Sequence, residues 1–100
     1  MNDVSLYQHI YALVKQLPRG QVSSYGHLAR LAGTTPRVVG FALAALPEQT
    51  DVPWQRVINS QGSISARKDS DRATLQRALL EAEGVRFDAF GRVVSIPLPD

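Results

Sequence analysis

The stretch Ser23-Ser24-Tyr25-Gly26-His27-Leu28-Ala29-Arg30-Leu31-Ala32-Gly33-Thr34-Thr35-Pro36-Arg37-Val38-Val39-Gly40-Phe41-Ala42-Leu43 decides the fold. A serine at position 23 or 24 can accept the first free amides of a helix that starts near Tyr25. Leu28, Ala29, Leu31 and Ala32 give that helix its apolar contacts. Gly33 stands where a left-handed residue ends it most cheaply. Thr34 and Thr35 make the turn, Thr35 caps the next helix, and Pro36 fits its first position. Two short helices across a tight Gly-containing turn form a helix-turn-helix pattern. The second of them runs to Pro47 and carries Gly40, Ala42, Ala44 and Ala45, small side chains that let another backbone or a nucleic acid come close.

Upstream, Leu6, Ile10, Leu13, Val14 and Leu17 recur at helical spacing and predict an amphipathic helix stopped by Pro18 and Gly20. Downstream, Val57-Ile58 and Ile64 bracket Asn59-Ser60-Gln61-Gly62-Ser63 and predict a small hairpin. A last helix is expected from about Asp71 to Glu83, capped by Ser70 and ended by Gly84, with Leu75, Ala78, Leu79 and Ala82 as its inner face. Alternating apolar residues from Val85 to Ile96 predict a short wing-like β segment. The fold class is mainly α with short β segments, in one domain over residues 1–100.

Composition narrows the chemistry. The chain has no cysteine, so thiol nucleophiles, disulfides and thiolate-ligated zinc are excluded. His9 and His27 have no neighbour at metal-ligand spacing, and neither a metal nor a cofactor is expected. No apolar run reaches the length of a membrane span, no secretory signal is visible, and a cytoplasmic protein is the expectation. Net charge is only +2, yet Lys15 to Lys68 holds seven basic residues against two acidic ones, a local +5 that suits a polyanion such as DNA.

One element has no place in a generic helix-turn-helix protein. Pro53-Trp54-Gln55-Arg56-Val57 resembles the Pro-Cys-His-Arg-Val active-site signature of the O6-alkylguanine-DNA alkyltransferases, with tryptophan where the nucleophilic cysteine stands. Ser24-Tyr25-Gly26-His27-Leu28-Ala29 resembles the first helix of that family's DNA-binding motif. Pro36-Arg37-Val38-Val39-Gly40 resembles the start of its recognition helix, and Leu80-Glu81-Ala82-Glu83-Gly84-Val85 its closing Leu-x-x-Glu-Gly element. The resemblance runs from about Tyr7 to Phe87 and points to the cysteine-free, alkyltransferase-like branch.

The resemblance implies a winged helix-turn-helix-like domain of the alkyltransferase C-terminal type. It implies binding of O6-alkylguanine in duplex DNA from the minor groove, with the base flipped out and no alkyl transferred. Arg37 takes the place of the finger that fills the vacated stack, and Tyr25 acts at the neighbouring phosphate and lines the pocket. Ser24, Thr34, Thr35 and Gly40 join the DNA contacts. Trp54, Leu43, Val57 and Ile64 are implied as pocket walls, with Arg67 and Lys68 on the loop above. Gln55 stands in place of the proton-relaying histidine, which leaves Glu83 a structural part, bonded to Arg56 or to backbone. The implied partners are O6-alkylguanine DNA and UvrA-type nucleotide excision repair factors, met as a monomer near the nucleoid. Two other readings stay open: a small winged-helix transcription regulator, and an enzyme of unassigned chemistry reusing the pocket.

Overall fold

The computed structural model describes residues 3–65 and 70–94. Four helices carry the architecture: α1 (Asp3–Lys15), α2 (Tyr25–Ala32), α3 (Pro36–Ala44) and α4 (Asp71–Ala82). A single 3₁₀ turn, Trp54–Arg56, precedes strand β2 (Val57–Ile58), which pairs in parallel with β1 (Ser23–Ser24). Ser23 stands opposite Val57 and Ser24 opposite Ile58. The result is a mainly helical domain with one two-stranded sheet.

Local signals set the boundaries of the helix pair. Ser24 Oγ accepts the His27 amide at 3.0 Å and opens α2, and Gly33 closes it at φ +73°. Thr35 Oγ1 accepts the Val38 amide at 3.3 Å, with Pro36 in the first turn of α3. Behind the pair, Ile10 and Val14 of α1 are wholly buried against Leu28, Ala29, Val39, Ala42 and Leu43. Tyr11 adds a polar tie, donating from its hydroxyl to the Ala42 carbonyl at 2.6 Å. A second, smaller cluster of Ile58, Leu80 and Val85 sits under α4, with Val22, Phe87 and Val93 packed on it.

Two expectations from sequence are corrected here. Asn59 to Ser63 is indeed a tight turn: Asn59 Oδ1 accepts the amides of Gln61 (2.9 Å) and Ser63 (3.0 Å). It does not join the two arms of a hairpin, however. Val57 and Ile58 are both buried, and they pair with β1, while Ser63 bridges to Arg92 of the C-terminal turn. That turn is the wing, held by Asp88 Oδ1, which accepts the amides of Phe90 and Arg92, and by a Phe87–Val93 bridge.

The inner face of α4 is also different. Ala73, Gln76 and Leu80 face inward, whereas Leu75 is 51% exposed and Ala78 and Ala82 are exposed. The cause is hydrogen bonding rather than apolar area. Gln76 Nε2 donates to the carbonyls of Gln55 (3.1 Å) in the 3₁₀ turn and of Val57 (2.9 Å) at the start of β2, the second of these bonds buried.

Candidate nucleic-acid interface and base pocket

The helix pair and the 3₁₀ turn meet around two hollows that share lining residues. An outer one of about 440 Å³ is bordered by Arg37, Gly26, Asn59, Ser60 and Ser65. An inner one of about 250 Å³ is bordered by Leu43, Ala44, Trp54, Arg72 and Gln76. Tyr25, Gly40 and Ser65 line both, so they stand between the helix surface that bears Arg37 and the cavity that bears Trp54. The inner volume is below the roughly 300–1,000 Å³ of drug-sized ligand sites, a scale that suits one base-sized group.

The Tyr25 phenol is held on this shared lining. Burial pushes its pKa up, opposed by a hydrogen bond with the Ser65 side chain and by the charge of Arg72. It is therefore a neutral donor and acceptor at physiological pH. Arg37 is exposed, and its guanidinium carbon lies 5.4 Å from the Phe41 ring centre one helical turn on. Ser24 and Thr35 spend acceptor capacity on the helix caps, but a hydroxyl that accepts a cap bond keeps its own O–H to donate to a phosphate. Thr34 is half-buried in the turn, and its amide is taken by the Ala29 carbonyl at 2.9 Å. A Cβ added at Gly40 would meet no protein atom within 4 Å, so nothing inside the fold demands a glycine there.

Below the pocket, Glu83 ties three segments together. Its Oε1 accepts Arg56 Nε at 2.9 Å and the Gly20 amide at 2.8 Å, and its Oε2 accepts Gln55 Nε2 at 2.7 Å. Arg56 also donates to the Leu17 carbonyl at 2.8 Å. Burial would raise the Glu83 carboxyl, but the bonds from Arg56, Gly20 and Gln55 outweigh it and hold the pKa below its ordinary value. With both oxygens committed, this carboxylate is a brace for the turn that carries Trp54. Gly20 takes part because it can: its φ is +84°, and a Cβ there would press to 3.1 Å from the Glu83 carbonyl.

The structure gathers Tyr25, Gly40, Leu43 and Trp54 around one cavity and sets Arg37 at its entrance. It does not bring Val57 or Ile64 there. Val57 is fully buried in the main core, fixed inward by pairing with β1. Ile64 borders a separate hollow against α4, with Ala73, Arg77 and Phe87. Arg67 and Lys68 lie outside the described residues. Sequence reasoning missed Arg72 and Gln76, which stand at i and i+4 on α4 and complete the inner wall. Arg72 places its guanidinium carbon 4.2 Å from the Trp54 ring centre. Among the described residues, no group of three or more His, Asp or Glu could hold a metal, and no helix is long and apolar enough to cross a membrane.

Residues 5–85 match the family of the 6-O-methylguanine DNA methyltransferase DNA-binding domain. A "DNA base-flipping protein" of Vibrio parahaemolyticus is 47% identical over 87 residues, covering 84% of each chain. The "Alkyltransferase-like protein 1" of Schizosaccharomyces pombe is 46% identical over 83 residues, covering 81% of this chain and 77% of that one. The chain is a member of the alkyltransferase-like family. In three dimensions this alkyltransferase-like chain superposes on S. pombe Atl1 in complex with damaged DNA containing O6-carboxymethylguanine, with a TM-score of 0.82 at 40% identity over 93% of this chain and 90% of that one. The fold class read from the sequence is thus the fold observed.

Proposed function

We propose that this alkyltransferase-like chain binds O6-alkylguanine in duplex DNA, flips it into the inner cavity and transfers nothing. The observation that carries this reading is that Tyr25 and Gly40 line both the hollow that bears Arg37 and the cavity walled by Trp54, in a chain without cysteine. The base-flipping name of one relative and the damaged-DNA complex of another support it. Trp54 occupies the place of the alkyl-accepting cysteine, and an indole N–H has no nucleophilic lone pair at neutral pH. Glu83 cannot serve as a spare base, because Arg56, Gly20 and Gln55 already occupy it. The small outer face of α3 enters the minor groove, Arg37 fills the gap left by the extruded base, and Tyr25 turns the adjoining phosphate. The protein acts as a monomer near the nucleoid and leaves removal of the lesion to UvrA-type nucleotide excision repair factors.

Fluorescence anisotropy at fixed salt tests this, with duplexes that differ only by guanine or O6-methylguanine at one position. Tighter binding of the lesion is expected, with no loss of the methyl group from the DNA. Arg37→Ala and Tyr25→Ala are each expected to weaken lesion binding roughly ten-fold or more, the scale of one lost charged or stacked contact. Equal affinity for the two duplexes defeats the reading and turns attention to an operator-binding regulator.

A second expectation separates fold from interface at Gly40. Gly40→Ala should raise protein stability by about 0.5–1 kcal/mol, because helix interiors favour alanine and the new methyl meets nothing. The same methyl projects from the surface that approaches DNA, so affinity for the lesion duplex should fall several-fold. Thermal melts and anisotropy on one preparation check both halves; a variant equally stable and equally tight takes Gly40 out of the interface.

A further inference from the structure

We infer that Arg72 reads the charge of the O6 substituent, and that the inner cavity therefore favours guanines carrying a short anionic group, such as a carboxylate, over neutral ones of the same size. This rests on the lesion-binding reading and extends it to a class of adduct.

The inner cavity is lined by apolar and neutral polar groups with one exception. Arg72 is the only charged residue among those described on its wall. Its neighbours there have settled partners. Gln76 Nε2 is committed to the carbonyls of Gln55 and Val57, and Tyr25 to Ser65. Arg72 is not so committed: among the described residues no carboxylate lies within ion-pair distance of it, and its recorded contact is with the indole of Trp54 at 4.2 Å. A guanidinium over a ring face keeps N–H donors at its edge, in the fork that matches a carboxylate. Arg72 is exposed as a residue, and its side chain borders the inner cavity beside Leu43, Ala44 and Trp54.

The surroundings limit how far this preference extends. Trp54 and Arg72 also border a larger hollow of about 940 Å³ on the far side, which Glu48 and Asp71 line as well. Lys15 on that rim is already paired with Asp51 at 3.2 Å. An anionic substituent that reaches Arg72 gains its pairing, whereas the larger hollow beside it carries three acidic side chains, Glu48, Asp51 and Asp71. Selectivity for charge is thus confined to short adducts.

Four duplexes test this, carrying guanine, O6-methylguanine, O6-carboxymethylguanine or its uncharged carbamoylmethyl counterpart at one position. Wild-type protein, Arg72→Met and Arg72→Lys are compared by anisotropy, with a thermal melt of each protein to verify folding. The wild type should bind the carboxymethyl adduct roughly ten-fold or more tighter than the carbamoylmethyl one, the scale of a charge-assisted hydrogen bond. Arg72→Met should erase that gap, and Arg72→Lys should keep part of it. No gap in the wild type, or an equal loss on all duplexes in Arg72→Met, overturns the inference: in the second case Arg72 serves packing or phosphate contact. If O6-methylguanine is bound no better than guanine, the lesion-binding reading itself fails, and the methyl arm shows this independently of the charged pair.

Discussion

Replacing Glu83 by Ala should cost about 3–5 kcal/mol of folding stability, the usual consequence of stripping one partner from a buried ion pair. The side chains of Arg56 and Glu83 are 15% and 5% exposed, so little water can reach the lost contact. The loss falls on Arg56, the Gly20 amide and Gln55 together, since all three donate to this one carboxylate. Its dependence on pH follows from the direction of the shift. The folded carboxyl is depressed below the ordinary 4.5, so its stabilising contribution is complete above that value and fades as pH falls through the depressed one. Thermal melts at neutral pH and near about pH 3 should therefore show a gap between wild type and Glu83→Ala that narrows in acid. A gap that stays constant would mean that the carboxylate's charge is not what holds the brace.

Gln76→Leu should be nearly as damaging, although it replaces a polar residue by an apolar one of similar size in a buried position. Leucine cannot donate to the carbonyls of Gln55 and Val57, and each buried acceptor left without a partner costs about 1–3 kcal/mol. A loss of about 2–5 kcal/mol in chemical denaturation is expected. The damage should also reach the pocket, because the turn that loses its support begins at Trp54. The fluorescence of Trp54, the chain's only tryptophan, should change in folded Gln76→Leu protein, whereas the exposed Leu75→Gln should leave both stability and fluorescence close to wild type. If Gln76→Leu were as stable as wild type, water would have to be satisfying those carbonyls, and the inner wall would be wetter than its burial indicates.

These two residues also mark where sequence reasoning stops. The helix-turn-helix was legible because every boundary has a local chemical cause: a hydroxyl cap at Ser24, a left-handed glycine at 33, a threonine cap followed by proline at 35 and 36. The inner face of α4 was not legible by the same means. Apolar periodicity favours Leu75, Ala78 and Leu79, but the helix is rotated so that Gln76 can serve carbonyls that lie about twenty positions earlier in the chain. The β1–β2 pairing escaped for a related reason: two residues per strand show no alternation, and the partners are 34 positions apart. In the pocket, the motif comparison found the residues that share a segment with Tyr25, Arg37 and Trp54. Arg72 belongs to another segment and reaches the cavity only through the orientation of α4. Val57, implied as a wall by the family resemblance, lies in the main core, on the strand paired with β1.

The long reach of the Glu83 brace has a bearing on how the protein comes into being. Helices α1 to α3 pack on one another within the first 44 residues, whereas the wall that bears Trp54 waits for Gln76 and Glu83. A chain emerging from the ribosome would bring α1 to α3 together before Val52 and Val57 closed their core and before the turn at Trp54 had its support. The cavity is completed only by residues of the C-terminal quarter of the sequence, which reach back to its middle.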